Sequence, residues 1–67
     1  MIKITITTDA ASQEFEDYTP DEAAAEFAAG EHMAGVETVV DLMDRLGSLG
    51  GYGSVTADGE IVAEVQA

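Results

Sequence analysis

His32 is the one imidazole in the chain, and beside Glu31 it has the chemistry of a general base or a metal ligand. No second His, no Cys and no fixed carboxylate pair accompanies it, so a surface or loop histidine accounts for it more fully. Asp58-Gly59-Glu60 offers oxygens to a calcium ion but lacks the alternating ligand positions of an EF-hand. Gly50-Gly51-Tyr52-Gly53 is glycine-rich, yet no Lys follows and no helix begins there, so the phosphate-cradling fingerprint is missing. Ser48 and Ser54 have no general base in a recognisable pattern. No catalytic residue, no metal ligand set and no cofactor motif is expected. What remains is the carboxylates themselves. Fourteen Asp and Glu stand against Lys3 and Arg45, giving a formal net charge of -12 in 67 residues. Such a field repels nucleic acid and anionic membranes and attracts basic protein surfaces.

These acids are not evenly spread along the chain. Glu14, Glu16, Asp17, Asp21, Glu22 and Glu26 form a stretch that no basic residue interrupts. Glu37, Asp41 and Asp44 form a second set. Arg45, at i+4 from Asp41, is the single basic neighbour in reach along a helix. Glu60 and Glu64 add charge near the C-terminus. Both acidic sets are candidates for a partner-binding surface.

The elements that must carry them can be read from local patterns. Met1 to Thr8 alternates, with Ile2, Ile4 and Ile6 on one face, and predicts a half-buried strand. Asp9 to Ser12 reads as a turn. Gln13 to Tyr18 fits either a short second strand or an extended acidic connector. Thr19-Pro20-Asp21-Glu22 is a helix start: Thr19 as N-cap, Pro20 at the first position, Glu22 closing a capping box. The helix is expected to run to about Ala29, with Ala23, Ala24, Phe27 and Ala28 inward and Gly30 as its stop. Glu31 to Gly35 is a break. Val36, Val39, Val40, Met43 and Leu46 then describe the apolar stripe of a second helix, with Glu37, Asp41 and Asp44 opposite it and Gly47 at its end. Tyr52 to Ala57 and Glu60 to Gln66 read as strands joined by a type I′ turn at Asp58-Gly59. In that register Thr56 faces Ile61 and Val55 faces Val62.

The sum is one compact α+β domain over residues 1–67, in the order strand, helix, helix, hairpin. The expected sheet is small, antiparallel or mixed, of three to four strands, with two helices on one face. A chain this short buries only about 60% of the surface it exposes when unfolded, and its like charges add self-repulsion. Zero Cys excludes a disulfide scaffold and thiolate zinc sites. No apolar run approaches the ~18 residues of a membrane span, and the N-terminus lacks the regions of a signal peptide. A soluble intracellular protein is the expectation.

Asp44 to Leu49 invites comparison with acyl carrier proteins, whose prosthetic-group Ser starts a helix. Ser48 here follows a helix end, which rejects that family. In size, charge and layout the chain resembles the small acidic anti-CRISPR proteins of bacteriophages and other mobile elements. That resemblance implies a non-enzymatic DNA mimic in the cytoplasm of a bacterial host. Its target would be a basic nucleic-acid-binding protein or complex, with a type I Cascade complex as the nearest kind. No diagnostic motif carries the resemblance, so no residue role transfers with it. On this reading the protein is a monomer that binds protein, and neither nucleic acid nor membrane. The expected contacts are Glu14, Glu16, Asp17, Asp21, Glu22 and Glu26, with Glu37, Asp41 and Asp44 as a second patch. Two other readings share the composition. One is adaptation to high salt, suggested by eleven Ala and seven Gly beside the acids. The other is an interaction module that docks through apolar residues such as Val55 and Val62.

Overall fold

The computed structural model describes residues 2–66. Strands β1 (Lys3–Thr8) and β2 (Ser12–Glu16) are followed by helices α1 (Pro20–Gly30) and α2 (Val39–Ser48). Strands β3 (Tyr52–Ala57) and β4 (Glu60–Gln66) complete the chain. The four strands form one antiparallel sheet in the order β2-β1-β3-β4. The helices lie side by side on one face of it, α1 against β1 and α2 against β3 and β4. The α+β architecture is thus the one expected. Within the ambiguous Gln13–Tyr18 segment, Gln13 to Glu16 belong to β2, with Ile4 opposite Phe15 and Thr5 opposite Glu14, while Asp17 and Tyr18 lie beyond the strand. No described helix is long and apolar enough to cross a membrane.

Alternation in β1 does its work: Ile4 and Ile6 are fully buried, whereas Ile2 is 47% exposed just before the strand. They meet Ala23, Ala24, Phe27 and Ala28 of α1, all buried as the stripe predicts. The small alanines let the helix settle close to the sheet. Burial of Phe27 alone contributes on the order of 1.5–3 kcal/mol.

The second helix departs from its expected bounds. Thr38, in extended backbone, is its N-cap, and its hydroxyl accepts from the Asp41 N–H at 3.1 Å. Val36 is buried but lies in the preceding loop. The true stripe is Val39, Leu42 and Leu46, while Val40 is 67% exposed. The helix also runs past Gly47. Gly50, at φ 73°, turns the chain, and the N–H groups of Gly50 and Gly51 bond to the carbonyls of Gly47 and Leu46. That is a Schellman motif.

A second Schellman motif closes α1, with its left-handed residue two positions later than Gly30 predicts. His32 N–H and Met33 N–H bond to the carbonyls of Ala29 and Ala28, and His32 takes the left-handed conformation at φ 59°. A β-carbon there costs about 1–2 kcal/mol.

Asp58 (φ 50°) and Gly59 (φ 87°) form the expected hairpin turn. Ala57 faces Glu60 and Thr56 faces Ile61, but Val55 faces Ala63. Val62 is the extra residue of a β-bulge, which ends the simple register and leaves it 48% exposed. Ala63 and Val65 therefore turn toward the core, packed against it with Val55. Opposite Val65, Gly53 lies beneath α2, and a Cβ on it would overlap Leu46 Cδ1.

Two opposite outcomes follow for urea denaturation. Gly53→Ala should lower stability by about 1–3 kcal/mol through overpacking against Leu46. His32→Gly should raise it by about 0.5–1 kcal/mol by relieving the left-handed strain. Equal effects of the two substitutions would contradict this placement of the helix ends.

Candidate acidic interface

Each carboxylate can be asked what it holds. Glu22 accepts from the Thr19 N–H at 3.0 Å while Thr19 accepts from the Glu22 N–H, which completes the capping box. Asp21 does something the sequence does not reveal. Its Oδ1 accepts from the Val39 N–H at 2.9 Å, so it ties the start of α1 to the start of α2. Asp41 Oδ2 accepts from the Glu37 N–H at 3.1 Å. Three of the expected contact residues thus serve two neighbouring helix N-termini, where exposed N–H groups and the helix dipole favour negative charge.

Three further acids hold other joints. Asp9 Oδ2 accepts from the Tyr52 N–H at 3.0 Å, linking the β1–β2 turn to the start of β3. Asp58 Oδ1 accepts from the Lys3 N–H at 2.9 Å, and the Asp58 N–H donates to the Lys3 carbonyl. Glu14 lies diagonal to Lys3 across β1 and β2 and pairs with its ammonium at 3.3 Å. Among the described residues this is the one ion pair. The expected Asp41–Arg45 pair is absent from it: Arg45 instead donates to the Ala34 carbonyl, and Asp41 is committed to Glu37.

The other acids are Glu16, Asp17, Glu26, Glu31, Glu37, Asp44, Glu60 and Glu64. Their carboxylates make no hydrogen bond or ion pair among the described residues, and all are exposed.

The structure also divides the first acidic stretch. Phe15 points into the core, so its neighbours Glu14 and Glu16 occupy the sheet face that the helices leave uncovered. Asp21, Glu22 and Glu26 are on α1, on the other side of the sheet. Asp17 is in the turn between them, at φ 63°, with its N–H bonded to the Ile2 carbonyl. The six residues wrap a corner and do not share one plane. Glu37 and Asp41 gather near the start of α2, and Asp44 lies one turn along it. The uncovered sheet face has a centre of hydroxyls, Thr5 opposite Thr56 and Thr7 opposite Ser54. Glu14 and Glu16 flank it on β2, and Glu64, opposite Ser54, on β4.

The apolar docking pair changes as well. Val55 is fully buried and cannot be a contact, whereas Val62 stays accessible because of the bulge. Around His32 there is an open cleft of about 450 Å³ lined also by Ala25, Ala29 and Val36. No carboxylate, hydroxyl or thiol lines it, so His32 has no partner there to activate. Among the described residues no group of three or more His, Cys, Asp or Glu could hold a metal ion.

Substitutions should sort the carboxylates by role. Asp21→Ala should lower stability by about 1 kcal/mol, as loss of a helix-terminal acceptor does. Glu26→Lys should leave it unchanged or raise it by about 0.3–0.5 kcal/mol, because a repulsive i, i+4 pair with Glu22 becomes attractive. Urea midpoints check both; a Glu26→Lys loss as large as that of Asp21→Ala would refute the division.

No protein-family model matches the chain, and no significantly similar curated protein or solved structure is found, so the functional reading rests on these residues themselves.

Proposed function

We propose that the protein is a non-enzymatic inhibitor whose carboxylates occupy the nucleic-acid-binding surface of a basic partner, as a CRISPR effector or another host defence complex would present. The observation that carries this reading is the set of exposed carboxylates that make no hydrogen bond or ion pair among the described residues. A small domain needs a net charge of magnitude about 2–8 for solubility. The formal charge of -12 lies beyond that. A duplex presents one phosphate every ~3.4 Å along each strand. Carboxylates wrapped round a corner, from Glu16 and Asp17 to Glu26, are suited to a groove that itself wraps a polyanion. Binding would be steered by charge and would weaken as salt rises. Of the nine expected contacts, Glu16, Asp17, Glu26, Glu37 and Asp44 are free for it. Asp21, Glu22 and Asp41 contribute charge while also holding the helices, and Glu14 is screened by Lys3.

One observation favours a second reading. Free carboxylates occur both on the open sheet face, as Glu16 and Glu64, and in the helical layer, as Glu26 and Asp44. Acidity on every side is also what high-salt adaptation produces. Circular dichroism separates the two. The inhibitor reading expects native helix and sheet signals in low-salt buffer, whereas a salt-adapted domain is unfolded there and folds as salt approaches about 1 M.

The triple substitution Glu16→Lys, Asp17→Lys, Glu26→Lys halves the formal charge of -12 without touching a carboxylate that holds the fold. It should retain the native spectrum and weaken low-salt capture of a basic nucleic-acid-binding complex by about tenfold or more. Unchanged capture would sink the proposal.

A further inference from the structure

A cleft of about 210 Å³ lies where the β1–β2 turn, the end of α1 and the end of α2 meet. Its walls include Met33, Leu46, Leu49 and Tyr52, and two acidic residues, Asp9 and Glu31, line it with them. The volume is below the ~300 Å³ at which sites for drug-sized ligands begin. It suits one extended side chain, not a folded element.

The cleft is built by the chain's local geometry. Gly50 turns the backbone after α2, which leaves Leu49 69% exposed as an apolar wall. A Cβ on Gly51 would stand 3.1 Å from Asp9 Oδ2, so the absence of one lets Asp9 close over this turn. The Tyr52 N–H then fixes Asp9 through Oδ2. Oδ1 accepts nothing among the described residues and is left for a ligand. Glu31 supplies a second unengaged carboxylate. Met33 adds an adaptable surface.

An apolar wall, an aromatic residue and two carboxylates are together complementary to one common side chain. Arginine lays its methylene stem on apolar surface, pairs its planar fork with carboxylates and stacks on aromatic rings. It is also among the residues that most often anchor interfaces from within a pocket. A second copy of this chain is a poor occupant. It brings a charge of -12, and its two cations are engaged, Lys3 with Glu14 and Arg45 with the Ala34 carbonyl.

We propose that the cleft formed by Asp9, Glu31, Met33, Leu46, Leu49 and Tyr52 seats an arginine side chain of the basic partner. This rests on the inhibitor reading and adds to it a discrete anchor beside the diffuse charge. The probe is n-butylguanidinium, a guanidinium on a short apolar stem, titrated at low salt into ¹⁵N-labelled protein. Guanidinium and butanol alone are the controls. Saturable shifts are expected at the amides of Glu31, Met33, Leu49, Gly51 and Tyr52, larger than with either half of the probe. The double variant Asp9→Asn, Glu31→Gln keeps an acceptor for the Tyr52 N–H and should bind the probe about five- to tenfold more weakly, with an unchanged circular dichroism spectrum. The anchor is overturned by shifts spread evenly over all acidic residues, by an equal response to guanidinium alone, or by unchanged binding in the double variant. Failures are distinguishable. If the probe does not seat but reversal at Glu16, Asp17 and Glu26 still abolishes partner capture, only the anchor is wrong. If the probe seats and that reversal leaves capture intact, the inhibitor reading is wrong.

Discussion

The Asp21 carboxylate, 2.9 Å from the Val39 amide, joins the first turns of both helices. Much of the architecture follows from that junction. The chain leaves α1 at Gly30 and must return alongside it before α2 begins. This demands a tight stop, which His32 makes in a conformation that suits glycine better. It also demands a loop that buries Val36 as it passes. With the N-termini adjacent, two sets of unpaired N–H groups and two positive dipole ends meet in one place. Asp21, Glu22 and Asp41 answer them. The helices then present Phe27, Leu42 and Leu46 to a sheet whose centre is Ile4, Ile6 and Val55.

This junction changes what the acidity means. A charge of -12 read from the sequence looks like a single property. In the fold it separates into carboxylates that hold a turn, a helix start or a strand pair, and carboxylates that hold nothing among the described residues. The first group stabilises locally; the second contributes repulsion in a domain too small to have much stability in reserve. The proposed use for that surplus lies outside the fold, on a basic partner surface to which such a field is attracted.

Local chemistry made much of this legible. The Thr19–Glu22 capping box, the alanine-rich stripe of α1, the alternation of β1 and the Asp58-Gly59 turn all lie within a few residues, and each holds in the structure. What the sequence concealed depends on residues far apart. Asp21 and Val39 are 18 apart, Asp9 and Tyr52 are 43 apart, and Lys3 and Asp58 are 55 apart. The Lys3–Glu14 pair needs β2, whose SQEFE run has one core residue and gives too weak a pattern to decide. The bulge at Val62 leaves no local mark, and it sets Ala63 rather than the expected Val62 opposite Val55. The start of α2 was masked by Val36, whose apolar character fits the helical stripe although Thr38 is the cap. The candidate contact set was therefore legible as residue types but not as a surface.

The fold depends on one group of carboxylates, and the other group adds only repulsion to it. Neutralising the second group tests this most directly. A variant with Gln or Asn at Glu16, Asp17, Glu26, Glu31, Glu37, Asp44, Glu60 and Glu64 should fold, be more stable than the parent in low-salt urea denaturation, and lose most of the parent's gain in stability with added salt. A variant that is less stable than the parent, or that keeps the same salt dependence, would contradict the account.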